Sequence, residues 1–197
     1  MKNIFYNLCI AGFLLSCSAT AEDSEDQNVE TQQTDIVAEE TKVEEKKKKK
    51  PKSPRIEAVG DNMSIDYGSP YVKGRTIWGD LVSYGKVWRA GANETTAITF
   101  QTNVMIGESE VEAGTYALFI IPEESGNWTV VLNEKWSKAE HDAWGAYDYK
   151  TELDVLRFEV SPEKGTENTE SLTFSIDGNT VMFAWEFMSF TFDANPK

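Results

Sequence analysis

Histidine and cysteine are nearly missing from this chain: His141, Cys9 and Cys17 are the whole complement in 197 residues. One imidazole cannot build a three-histidine zinc site, and the polar stretch Lys138-Ala139-Glu140-His141-Asp142 places no nucleophile beside it. His141 therefore reads as a solvated loop residue, and neither a metal nor a cofactor is expected. Both cysteines lie at the extreme N-terminus, so no disulfide framework is available and stability must come from an apolar core. Positive charge is also scarce. Residues 51–197 carry 23 acidic against 12 basic side chains, a net of −11. That balance excludes a nucleic-acid partner, since affinity there depends on neutralising phosphates. No apolar run reaches the roughly 20 residues of a membrane-spanning helix. No G-x-G-x-x-G falls between a strand and a helix, which removes dinucleotide binding.

What is present begins with a leader. Lys2 supplies a short positive start, Ile4 to Leu15 is mostly apolar and uncharged, and the run closes on Leu14-Leu15-Ser16-Cys17. These are the parts of a secretory signal over residues 1–16. The closing tetrapeptide resembles a bacterial lipobox, which implies lipidation of Cys17 and membrane attachment through that lipid. The expected place is the bacterial cell envelope at the outer membrane, periplasmic or surface-exposed. Residues 17–52 then read as the lipidated cysteine and a disordered charged tether. From Ser18 to Lys50 there are 10 acidic residues and 6 lysines, acidic first and closing on an unbroken Lys46–Lys50. Such blocks bury too little apolar surface to offset ordering entropy.

Residues 53–197 form the domain, long enough for one hydrophobic core. Strand signals dominate: Met63 to Tyr67 alternates, Thr95 to Phe100 is β-branched, and Thr115 to Ile121 ends at Pro122. Trp128 to Leu132 follows the turn Ser125-Gly126-Asn127 and makes a hairpin with Thr115 to Ile121. Val155 to Val160, Leu172 to Ile176 and Val181 to Phe187 follow, with a return through Phe190-Thr191-Phe192. Asp177-Gly178-Asn179 is a hairpin turn. No amphipathic helix of ten or more residues is visible, the best candidate being Lys135 to Ala143. The expectation is an all-β domain, an antiparallel β-sandwich or jelly-roll-like barrel.

The densest chemistry lies between Val72 and Thr95. It combines Lys73, Arg75, Lys86 and Arg89 with Trp78, Tyr84 and Trp88, in a domain otherwise poor in cations. Two readings compete: aromatic packing with the arginines paired to carboxylates or capping loop carbonyls, or a pocket with an aromatic platform and a polar ring. A second aromatic cluster, Trp136, Trp144, Tyr147 and Tyr149, either closes that pocket or covers the core. For Arg89 the expectation is structural: a clamp on a buried Asp or Glu. A carboxylate pair such as Glu94 with Glu186 would instead support acid–base hydrolysis if the fold brought the two together. Calcium through Asp61, Asp66 or Asp177-Gly178-Asn179 lacks a spaced ligand loop.

The run Asp66-Tyr67-Gly68-Ser69-Pro70-Tyr71-Val72-Lys73-Gly74-Arg75 through Trp88-Arg89-Ala90-Gly91-Ala92-Asn93-Glu94 resembles a stretch of the DUF2911 family of bacterial secreted proteins, similar to DYxxPxVKGRxIxGxLVPYGxVWRTGANExT. The resemblance continues through Ala113 to Phe119 and Trp144-Gly145-Ala146-Tyr147, with Ser83 for the usual Pro and Ala90 for the usual Thr. It implies no activity to carry over, but it marks Arg75, Arg89, Asn93 and Glu94 as motif positions. With Trp78, Trp88, Trp144 and Tyr147 they form the ligand-binding candidates; no residue is assigned a catalytic role. The leading expectation is a non-catalytic, envelope-associated binding lipoprotein for a glycan or peptide. The alternatives are a hydrolase of glycan or peptide using paired carboxylates, and a purely structural envelope protein.

Overall fold

Alternation along the strands decides which side chains meet. In β2 (Met63–Gly68) the residues Met63, Ile65 and Tyr67 are buried while Ser64 and Asp66 are only partly covered, the period of two that a half-buried strand imposes. The computed structural model describes residues 53–197; the signal, Cys17 and the tether lie outside the described residues. β2 pairs with β1 (Arg55–Val59) on one side and β3 (Ala97–Phe100) on the other. β6 (Gly114–Ile121), β7 (Trp128–Asn133) and β8 (Asp154–Val160) complete an antiparallel sheet in the order β1-β2-β3-β6-β7-β8. The β6–β7 hairpin forms as its turn signals require, with Ile121 opposite Thr129. A small sheet holds β4 (Val104–Ile106), β5 (Ser109–Val111) and β11 (Asn195–Pro196), and a long hairpin pairs β9 (Glu163–Asp177) with β10 (Thr180–Asp193). The domain is thus β-rich, three antiparallel sheets with little helix among the described residues: α1 (Lys138–His141), capped by Ser137, and one turn of 3-10 helix at Thr151–Leu153. No helix of the described residues is long and apolar enough to cross a membrane.

β6 is apolar on both faces because the sheet is covered on both. Leu118 and Ile120 join the main core, together with Ile65, Ile98 and Val130 from the same sheet and Leu172, Phe174, Phe183, Phe190 and Phe192 from the long hairpin. Ala117 and Phe119 face the other way, beside Val131 of β7, and Val87, Trp136 and Tyr149 pack against all three. The aromatics of the main core meet mostly edge to face: Phe174 lies 5.1 Å from Tyr67 and 5.3 Å from Phe183. Such pairs add about 0.5–1.5 kcal/mol each beyond area burial.

One sequence expectation fails here. Val181 to Phe187 does not turn back through Phe190; Thr180 to Asp193 is one strand. The apparent break is a change of phase. Val181, Phe183 and Trp185 are buried, then Phe190 and Phe192, so odd positions face the core before Glu186 and even positions after it. Glu186 has a positive φ of 54° and lies between two register shifts, with Ala184 opposite Thr173, Glu186 opposite Thr169 and Met188 opposite Lys164. A bulge of this kind re-aims the side chains that follow it.

Candidate functional site

The segment from Ser69 to Asn93 leaves β2 and binds the hairpin before it reaches the sheet again. Ser69 Oγ donates to the Leu172 carbonyl at 2.7 Å, Leu172 N–H to Pro70 O at 2.9 Å, and Val72 N–H to Glu170 O at 2.7 Å. Lys73 and Gly74 then turn the chain with φ of 50° and 66°. Arg75 folds back on that turn: its Nε donates to Val72 O at 3.0 Å and its Nη2 to Tyr71 O. A tight turn follows, closed by Val82 N–H to Ile77 O at 2.8 Å. Trp88 exchanges backbone hydrogen bonds of 2.8 and 2.9 Å with Ile120, which docks this loop against β6 in line with β3.

The loop is returned to β2 by close backbone contact. A methyl group on Gly68 would come within 2.0 Å of the Ala92 carbonyl oxygen, and Ala92 N–H donates to Gly68 O at 3.1 Å. Only glycine permits that approach. Ala90 and Asn93 take φ of 51° and 65°, so the backbone around Arg89 is bent at both ends of the motif Ala90-Gly91-Ala92-Asn93.

The indoles meet in one wall. Trp88 stacks on Trp185 at 5.6 Å and 14° between planes; Trp78 meets Trp88 edge-on at 5.8 Å and Trp185 edge-on at 5.9 Å, and lies tilted against Trp128 at 4.6 Å. Trp88 and Trp185 line a cavity of about 210 Å³, together with Arg75, Arg89, Gly91 and Ser53. Trp78 and Trp128 line another, of about 470 Å³. The motif segment therefore runs between two cavities and gives side chains to both.

The smaller cavity is lined by two arginines and by no acidic side chain among the described residues. The expected clamp between Arg89 and a buried acid is corrected here. Among the described residues Arg89 makes no ion pair, and its Nε is buried without a partner. Burial lowers the Arg89 pKa, with the Tyr147 phenol opposing that shift. Trp185, 1% exposed, adds a second buried donor without a partner, its Nε1. Buried donors are nearly always satisfied, so two orphans on residues that line one cavity are unusual. Arg75 meets the other part of the expectation by capping loop carbonyls.

Ser53 also lines a neighbouring cavity of about 190 Å³ with Asn93, Glu94, Trp144, Gly68 and Arg55. Arg55 is held there by Asp66, at 2.7 and 2.9 Å, and by the Thr95 carbonyl at 2.9 Å, with Glu94 at 3.9 Å. Of the candidates, then, Arg75, Trp88 and Arg89 share one cavity and Asn93, Glu94 and Trp144 the next. Trp78 stands on the far side of the wall. Tyr147, 84% exposed, lines none of these three cavities. Glu94 and Glu186 are not brought together: they line different cavities. His141 is less solvated than expected, lying 5.7 Å from Trp136 with a buried Nδ1 that has no partner. Among the described residues no three His, Cys, Asp or Glu side chains group as metal ligands. Sequence reasoning missed Trp185 and Arg55 because one alternates like a core residue and the other sits in an unrecognised strand.

The family model described as a protein of unknown function, DUF2911, matches residues 50–194. The chain belongs to the DUF2911 family. The match takes in the whole tryptophan wall and all three cavities, so these features lie within the DUF2911 region. No curated protein and no solved structure gives a significant match.

Proposed function

We propose that this domain is a non-catalytic binding module of an envelope lipoprotein, and that it holds an anionic group of a glycan or peptide in the cavity of Arg75 and Arg89. The observation that carries the reading is Arg89: a guanidinium kept half-buried, without an acidic partner among the described residues, in an acidic domain. A buried cation lacking a counter-ion is costly, and an arginine fork fits a carboxylate in two-point contact. Trp88, stacked on Trp185, supplies the apolar face. The cavity volume of about 210 Å³ suits one acidic group and its nearest atoms rather than a whole polymer. A sandwich-like scaffold goes with this reading, supported by the single apolar cluster that the six-stranded sheet shares with the β9–β10 hairpin. The lipobox resemblance at Cys17 supports placing the module at the envelope.

The test is calorimetry and thermal shift with paired probes: a trigalacturonate against its methyl ester, and a tripeptide with a free against an amidated C-terminus. One free-acid probe should bind more tightly than its neutral twin, and that preference should vanish in Arg89→Ala. Arg89→Ala should weaken that binding by about 10- to 100-fold, the usual size of a lost charged hydrogen bond. Equal binding of acid and neutral forms, or an unchanged affinity in Arg89→Ala, would refute the assignment.

A further inference from the structure

We infer that the cavity on the far side of the tryptophan wall is a second binding site, and that it takes a neutral, hydroxyl-rich ligand, a saccharide. At about 470 Å³ it falls within the range of about 300–1,000 Å³ typical of small-molecule sites, more than twice the arginine cavity. Its aromatic members include Trp78, Tyr84 and Phe187, the last 38% exposed, and its polar members Glu123, Glu124, Glu186 and Lys164. These come from four separate parts of the chain: the motif segment, the turn after β6, and both strands of the long hairpin.

The β10 bulge explains why Glu186 is among them. A non-glycine residue in the left-handed region costs about 1–2 kcal/mol relative to ordinary helical or extended backbone. Here that conformation sits where the strand changes phase, and it places Glu186 on the cavity rather than in the core alternation. Tyr84 lies among the same carboxylates. Burial raises its pKa, and the charges of Glu124 and Glu186 add to that shift, so carboxylates from the β6–β7 turn and from β10 both reach the phenol.

The mixture of donors and acceptors selects the ligand chemistry. An anion would meet three carboxylates. A cation would suit those carboxylates but would face Lys164. Hydroxyls donate to carboxylates and accept from Lys164, so a sugar satisfies both kinds of group. Its C–H face also suits an exposed ring such as Phe187. The carboxylates alone would not make this argument; the cavity, the lysine among them and the aromatic walls carry it together.

A glycan array carrying neutral, acidic and amino oligosaccharides, probed with the labelled full chain, tests the site. Neutral hexose oligosaccharides should be retained. Glu186→Gln should lower their apparent affinity about tenfold, as expected for losing one charged acceptor. Glu124→Gln, a change in an exposed turn that leaves the bulge untouched, should lower it in the same direction. Arg89→Ala should leave retention of neutral glycans unchanged, which separates this site from the anion cavity. Retention of no neutral glycan, retention of amino sugars alone, or equal retention by the wild type and both glutamine variants would overturn the inference.

Discussion

At Arg89 the side chain lies against Gly145, where an added methyl group would come within 2.9 Å of the Arg89 Cδ. Truncation to alanine removes that packing but strands no carboxylate, because none is paired with it among the described residues. Loss of a buried pair would cost about 3–5 kcal/mol; loss of an unpaired, half-buried cation should change stability by about 1 kcal/mol or less. Urea unfolding of Arg89→Ala distinguishes the two, and a loss above about 3 kcal/mol would restore the clamp. Gly68 should behave oppositely. Gly68→Ala forces a methyl group into the Ala92 carbonyl, which is backbone and cannot rotate away. We expect a loss of at least about 2 kcal/mol, the range of an overpacked core, with weaker anion binding because the Arg89 loop moves. Full stability of Gly68→Ala would mean that the loop approaches β2 less closely than described.

The elements that the sequence made legible are those with clean alternation and a turn at the end. β2, β6, β7 and the Asp177-Gly178-Asn179 turn stand where the pattern put them, since one buried face and a local turn determine each. β1 escaped because Arg55, Ile56, Glu57 and Val59 are exposed at a sheet edge, so no apolar rhythm marks them. The first half of β9, Glu163 to Glu170, escaped for the same reason, being almost wholly exposed. β10 was misread because a phase change mimics a strand end in a period-two pattern. The candidate site was partly legible: the dense motif named Arg75, Trp88 and Arg89, but spacing cannot show that Trp185, about a hundred residues later, completes their cavity. Glu186 gives a prediction at this scale. Glycine relieves the left-handed strain but brings more unfolded-state freedom, so Glu186→Gly should leave stability unchanged or raise it by up to about 1 kcal/mol. The same variant should lose glycan retention. A marked fall in melting temperature would instead show that the Glu186 side chain holds the bulge in place.

For the molecule as a whole, anchoring and folding should separate. Cys17→Ser should abolish metabolic lipid labelling and membrane retention while the domain stays folded, since Cys17 lies some 35 residues ahead of it; labelling that persists would exclude the lipid anchor. Folding itself should carry an alkaline signature. Burial raises the pKa of Tyr67, Tyr84, Tyr116 and Tyr149, with nearby acids adding to the last three. The sign follows from proton counting. Below the unfolded value near 10.0 these phenols are protonated in both states and their contribution is fully present. Above it the unfolded chain releases protons first, so stability falls until pH passes the raised folded values. Tyr67 isolates the effect, because its hydroxyl accepts from Phe174 N–H at 3.1 Å and donates to Phe174 O at 3.4 Å inside the core. Tyr67→Phe removes those contacts and should cost about 1–2 kcal/mol at pH 7. It also removes a group that titrates, so its stability should decline less steeply than the wild type above pH 10. Chemical denaturation from pH 7 to 11 should show the two curves converging. Parallel curves would mean that Tyr67 ionises as readily in the folded domain as in the unfolded chain, and that its burial does not govern alkaline unfolding.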